Sequence, residues 1–294
     1  MTYFFRIYFF IFVFLTIQGK AQPYFDFFTA HHQYSFPVLK TAAGHKEILS
    51  SYNAIDISLP VKLQEDILVF SPSYENYFLS FRDSTPAFSV QGIKFATAFA
   101  HKWKAKAWKT TLVAVFRSVS LTKNSWNRNA LQTGGAVVMA YEKNSKLTYK
   151  FGVYYNSEFF GPFILPLLGI DYRPSDRVKL FGILPGSMNI EYKISKTLRS
   201  GFSFRSITSS YRAEDNRFLR INDNQLRAFL DIYVAKKQVI TLEAGHSILR
   251  KLKPGGRISG EPTYDKFKTA DGLLLKIGYS IRIRLDEKAV VHQE

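Results

Sequence analysis

The sequence predicts an all-β fold: a closed, antiparallel, up-and-down transmembrane β-barrel of about 14 strands, with 12 as the alternative. Three observations carry this reading. Apolar side chains recur with period two along many segments, which puts one set on each face of a strand. Those segments run to about ten residues, the length a tilted strand needs to cross a bilayer. Their connections alternate, with short, mostly basic turns between mostly longer polar stretches, as in barrels that keep short turns on one side of a membrane.

Composition agrees. The 294 residues are 46% hydrophobic and 16% aromatic, too apolar for a disordered chain. Mean hydropathy is −0.09, too polar for a bundle of transmembrane helices but natural for strands with one lipid face and one polar face. With no cysteine, disulfide scaffolds, thiolate metal sites and a lipoprotein acylation site are excluded.

Taken in order, the chain opens on an export signal at residues 1–21. Arg6 supplies its positive end, Ile7 to Ile17 its apolar stretch, and Gly19 and Ala21 the small residues before a cut at Gln22. That stretch is too short for a membrane anchor, since about 20 residues are needed to span. Removing Arg6 and Lys20 from the formal net charge of +17 leaves the folded part, residues 22–294, strongly basic. Export argues against a nucleic-acid partner and points the basic surface at anionic lipid or lipopolysaccharide.

Fourteen segments follow, near 25–38, 49–63, 66–81, 89–102, 107–121, 131–143, 146–157, 163–173, 177–184, 187–195, 198–210, 218–235, 238–250 and 270–285. The even count returns both termini to one side. In the last, Leu273, Leu275, Ile277, Tyr279, Ile281 and Ile283 alternate with Leu274, Lys276, Gly278, Ser280, Arg282 and Arg284. Ile55, Ile57, Leu59, Val61 and Leu63 repeat the pattern, as do Met188, Ile190, Tyr192 and Ile194, and Leu226, Ala228, Leu230, Ile232 and Val234. Short turns fall near 64–66, 103–106, 144–146, 173–176, 195–197 and 235–237. Longer loops are expected near 41–46, 82–86, 122–129, 157–162, 211–217 and 250–269, with 185–187 a short exception. Tyr24, Phe27, Phe28, Trp103, Tyr154, Tyr155, Phe159, Phe160 and Phe163 sit near strand ends, where aromatic girdles mark the lipid boundary.

The segment FFGPFILPLLGIDYRPSDRVKLFGILPGSMNIEYKISKTLRSGFSFRSITSSYR, followed by LRINDNQLRAFLDIYVAKK and LEAGHSILR, resembles an uncharacterised family of outer-membrane β-barrels common in Bacteroidota and classed as a domain of unknown function. The resemblance implies an outer-membrane location and insertion by the barrel-assembly machinery, and it implies no activity, cofactor or site residue. Many such barrels end on an aromatic residue; here a tail, Leu285 to Glu294, follows the last strand.

Candidate functional residues lie on the polar face. By parity Glu191, Arg205, Arg227, Asp231, Glu243 and Lys276 point inward, since an Arg or Lys facing lipid at mid-depth costs about 2–4 kcal/mol. They line either a solute path or a salt-bridged filling that closes the barrel. With Lys62, Arg282 and Arg284 added the lumen is more basic than acidic, so a pore should prefer anions. The stretch 250–269 places Arg250, Lys251, Lys253 and Arg257 where they could meet lipopolysaccharide phosphates.

No catalytic, cofactor or metal set emerges. His31 and His32 are adjacent, so on a strand they face opposite ways, which is poor for chelation. His246 and Ser247 diverge for the same reason, which disfavours an outer-membrane lipid hydrolase. The expected function is an outer-membrane barrel that binds or passes a small solute or lipid. The alternative is a closed barrel with a structural, envelope-maintaining role.

Overall fold

The computed structural model describes residues 23–36, 38–41, 44–81, 84–104, 107–120, 128–213, 217–258, 261–265 and 268–286. The expected export signal lies outside the described residues, as does the tail beyond Asp286.

Fourteen strands form the wall. They are β1 (Tyr24–Ser35), β2 (Gly44–Ile57, continued after Ser58 by Leu59–Leu63), β3 (Asp66–Phe81), β4 (Ser84–Lys102), β5 (Trp108–Ser120), β6 (Leu131–Asn144) and β7 (Leu147–Glu158). The second half adds β8 (Gly161–Tyr172), β9 (Val178–Leu184), β10 (Ser187–Lys193), β11 (Leu198–Arg212), β12 (Phe218–Ala235), β13 (Gln238–Ile258) and β14 (Leu273–Arg284). Each pairs antiparallel with its sequence neighbours. The sheet closes where β1 meets β14, from Tyr24 opposite Arg284 to Ser35 opposite Leu274. Closure leaves no edge strand, so the backbone groups are satisfied without water.

Both described termini meet at one end, where the Leu285 amide donates to the Pro23 carbonyl at 2.9 Å. The six short turns expected from the sequence all lie at this terminal end. Gln64, with φ of 53°, takes the left-handed conformation that a two-residue hairpin turn requires.

The wall is apolar outside and polar inside. Leu273 is 63% exposed while its neighbour Leu274 is fully buried. On β11, Phe202 is 68% exposed against 5% for Ser203. Ile164, Leu168, Ile190, Leu226, Leu275 and Ile277 join the outer face, and Glu191, Arg199, Arg227, Asp231 and Arg282 are buried within. A water-soluble domain would invert this; a lipid-facing barrel requires it.

Several expected loops at the distal end are strand instead. Phe81 pairs with Ser84, so strand enters the 82–86 stretch, and 157–162 shrinks to the turn at Phe159 and Phe160. Val38–Thr41 forms a hairpin with the start of β2, and β13 runs on to Ile258, where it pairs with Glu261–Tyr264. Polar composition marked where the chain meets solvent, but backbone amides there still find partners most simply by prolonging the hairpin.

One hairpin is short, and it shapes the distal end. β9 and β10 have seven residues each, so β8 loses a neighbour on that side above Leu168 and β11 loses one above Arg205. The freed end of β11 leans across the mouth, so that Arg212 pairs with Ser120 of β5, a strand that is not its neighbour in the wall. Gln132 of β6 reaches the Ser210 hydroxyl at 3.0 Å, and the Phe159 amide donates to that hydroxyl at 2.9 Å. Beneath this bridge Leu79, Val90, Val119, Tyr211, Leu219, Ile221 and Leu252 bury one another inside the barrel. These residues form an apolar plug in the distal lumen.

The aromatic residues divide. Tyr155 and Trp103 face outward as expected of a girdle. Tyr24 instead lies inside beneath Arg282, at 3.6 Å from the guanidinium carbon to the ring centroid, and Phe160 is buried under Arg220 at 3.9 Å. Phe159 packs on the plug. Proximity to a strand end did not reveal which face these rings take.

Candidate functional site

The polar lumen is the candidate site, and strand register stacks its charges in tiers from the terminal end upward. In the first tier Arg284 donates to both oxygens of Glu191, at 2.7 and 2.9 Å, and pairs with Asp286 at 2.8 Å. Arg199 joins Glu191 at 3.5 Å, and Lys179 pairs with Asp286. Next, Arg282 bridges Asp26 at 2.7 Å and Asp231 at 2.6 Å, and the Thr241 hydroxyl also donates to Asp231. In the third tier Glu243 accepts from Arg227 at 2.7 Å and from Lys276 at 2.8 Å. Above it Arg250 donates twice to Asp223, at 2.6 and 3.0 Å. On the facing wall Arg117 pairs with Glu75 at 2.8 Å, and the Tyr52 hydroxyl donates to the same carboxylate at 2.9 Å. Each pair is desolvated but matched, the condition under which buried ions are tolerated.

Between the Arg282 and Glu243 tiers a polar cavity of about 260 Å³ remains. Its walls include Asp26, His31, Asn189, Ser203, Arg205 and Thr241. A second concavity, about 520 Å³, lies around Ala228, Ala244 and Leu275 and is walled mainly by outward-facing apolar residues.

All six lumen residues expected from parity line the interior. The structure joins Arg227, Glu243 and Lys276 in one cluster, places Asp231 on Arg282 and Glu191 on Arg284, and leaves Arg205 facing the cavity. Lys62, counted with them, is exposed at the terminal turn instead, because β2 has reached its end there.

Glu75, Arg117, Lys179, Arg199 and Asp223 join the lumen charges beyond those expected, and two further inward residues depart from the parity or place expected of them. Asp26 lies before a register shift between Asp26 and Phe28 that moves the inward set of β1 from even to odd numbers. Arg250 was expected on the outer loop; it is buried in β13. The cause is a bulge at Leu249, whose φ is 58°, opposite the register shift between Asn222 and Asn224. Ile248 and Leu249 both face outward, so the next side chain turns in to Asp223.

Of the other expected basic residues, Lys251 and Arg257 are exposed on the distal ribbon. Lys253 lies 5.3 Å from the Tyr264 ring centroid. Burial, with the nearby Arg220 and Lys251 charges, holds the Lys253 ammonium below the usual lysine range.

The histidines separate as adjacent strand residues must. His31 lines the cavity, while His32 faces outward and meets Asn53 Oδ1 at 2.8 Å. His246 is exposed and its Nδ1 lies 2.6 Å from the Ser247 carbonyl, whereas Ser247 itself is buried. That pair is not arranged for nucleophilic catalysis. Among the described residues no group of three His, Asp or Glu side chains is placed to hold a metal ion.

A barrel with this lumen can be compared with known proteins. Residues 92–265, more than half of the chain, match the model of the family described as Domain of unknown function (DUF6268). The chain belongs to this family. The DUF6268 match runs from β4 to the distal ribbon, so it takes in five of the seven plug residues, the short hairpin and most of the tiered charges. No curated protein matches the chain. Among solved structures, an outer membrane channel from Pseudomonas putida F1 is similar at 8% identity and a TM-score of 0.48, covering 92% of this chain and 100% of that one. A FadL homologue from Pseudomonas aeruginosa gives 8% identity and a TM-score of 0.49, covering 86% of this DUF6268 chain and 89% of its own. The NanC porin gives 9% identity and a TM-score of 0.41, covering 87% and 100%.

Proposed function

We propose that this DUF6268 protein is an integral outer-membrane barrel that binds a small solute in its lumen and passes it across the membrane, with its termini in the periplasm. One observation carries the reading: a polar cavity of about 260 Å³ persists inside a lumen whose other charges are closely paired. A barrel built only to be closed has no need of such a cavity, whose polar walls suit water or a polar solute. The apolar plug then acts as the distal closure that must yield for passage.

On this reading residues 1–21 direct export and are cleaved before Gln22, and the barrel-assembly machinery inserts the rest. Lys251, Lys253 and Arg257 on the distal ribbon lie where lipopolysaccharide phosphates would be met. The second reading, a structural envelope barrel, is favoured by the plug alone, since it fills part of the distal lumen.

Proteoliposomes of the purified full chain separate the two. Swelling in small polar solutes, absent in protein-free vesicles, is the expected result. Vesicles that stay tight even when the plug is thinned by substitution establish the structural reading instead.

A further inference from the structure

We propose that the lumen cavity binds a small monocarboxylate, and that Arg205 is the residue that holds it. The inference rests on the reading of the lumen as a solute site. Arg117, Arg199, Arg227, Arg250, Arg282 and Arg284 each reach a carboxylate inside the barrel. Arg205 lines the same space, yet its guanidinium forms no ion pair or hydrogen bond among the described residues, and its Nε is buried without a partner.

The wall carboxylates are already engaged. Asp26 and Asp231 share Arg282, and Glu243 is taken by Arg227 and Lys276. Asp56 accepts the Thr29 hydroxyl at 3.3 Å and has Lys94 at 3.7 Å. Arg205 is left partly buried, facing the cavity with no carboxylate in direct contact. A partly buried guanidinium without a direct ion-pair partner gains by taking up an anion.

The geometry also narrows the ligand. A guanidinium presents paired donors that match a carboxylate. Ser203, two residues before Arg205 on the same face of β11, has a buried hydroxyl with no partner and supplies a neutral donor beside it. Four wall carboxylates oppose a second negative charge, which favours a monoanion over a dianion. The volume falls just below the roughly 300–1,000 Å³ usual for drug-sized ligands, which suits a small solute.

The test is calorimetric titration of the refolded full chain in detergent at constant ionic strength. The probes are acetate, its neutral isostere acetamide, and inorganic phosphate as the dianion. Acetate should bind, with acetamide about tenfold weaker or more, and phosphate weaker than acetate. Arg205→Gln should weaken acetate binding about tenfold or more, and Arg205→Lys should fall between.

Should Arg205→Gln fail to fold, Ser203→Glu decides the question by offering Arg205 an internal carboxylate. It should raise the thermal midpoint and abolish acetate binding. Absence of acetate binding, equal binding of acetamide, tighter binding of phosphate, or acetate binding unchanged in Arg205→Gln or Ser203→Glu overturns the proposal. Vesicles that stay tight while Arg205-dependent acetate binding persists would overturn passage and leave this inference standing. Permeation without acetate binding would overturn this inference alone.

Discussion

At Leu249 one backbone angle decides where a charge goes. Its φ of 58° interrupts the alternation of β13 and swings Arg250 from the solvent side to Asp223. Arg250→Leu should leave that carboxylate buried without its cation, at a cost of about 3–5 kcal/mol. The loss is read as a shift in the urea midpoint of the barrel folded into lipid. The double variant with Asp223→Leu should recover most of it, because no isolated charge remains. The opposite face gives a complementary expectation. Phe202→Arg places a charge on the lipid side and should cost about 2–4 kcal/mol in the same assay, whereas the buried Arg199, only three residues away, is tolerated because it faces Glu191. A Phe202→Arg barrel as stable as the parent would deny that this face meets hydrocarbon. Residues of this kind were legible where alternation is unbroken, as for Glu191, Arg227, Asp231, Glu243 and Lys276. Asp26 and Arg250 were not, because a bulge changes parity and leaves no mark in composition.

Among the elements, the β9–β10 hairpin matters most, because its shortness frees the distal ends of β8 and β11. The sequence shows the short connection at 185–187 plainly, yet nothing in a local pattern says that β11 will use its freedom to cross the mouth. That step depends on contacts with β5, β6 and β7, which lie far away along the chain. The hairpin is held tight at Gly182, whose φ is 153° and where a Cβ would meet the Ser187 carbonyl oxygen at 2.2 Å. Gly182→Val should therefore strain both the backbone and the pairing of β9 with β10, at about 1–3 kcal/mol for the backbone alone. A fall in the thermal midpoint of the folded barrel is expected. An unchanged midpoint would mean that the hairpin relaxes without loss and does not fix the height of the wall. The element boundaries themselves were legible to within a few residues on the terminal side. On the distal side they were not, since strands outside the membrane keep their hydrogen bonds while abandoning the alternation that lipid imposes.

For the molecule as a whole, the question is how a barrel with an apolar plug in its distal lumen could serve a solute. The tiers of paired charge make the lower lumen polar, and the plug sets an apolar cluster in the upper lumen. An ion entering the plug would lose its hydration without finding a partner, so the plug and not the charged tiers should set the resistance to flow. Leu219, Ile221 and Leu252 come from β12 and β13 and meet Leu79, Val90 and Val119 from the facing wall. Replacing Leu219, Ile221 and Leu252 together with Ala removes three large side chains from that contact while leaving the lipid face and every ion pair in place. In planar bilayers the variant should conduct severalfold more than the parent. Its current should favour anions, because the cavity next encountered presents Arg205 without a direct ion-pair partner while its carboxylates are engaged by other cations. Removing that charge as well, with Arg205→Gln in the same background, should reduce the anion preference without closing the path. A plug-thinned barrel that stays silent would place the resistance in the tiers instead, and the lumen would then be a filling. A cation preference would show that the wall carboxylates retain more of the field than their pairing allows.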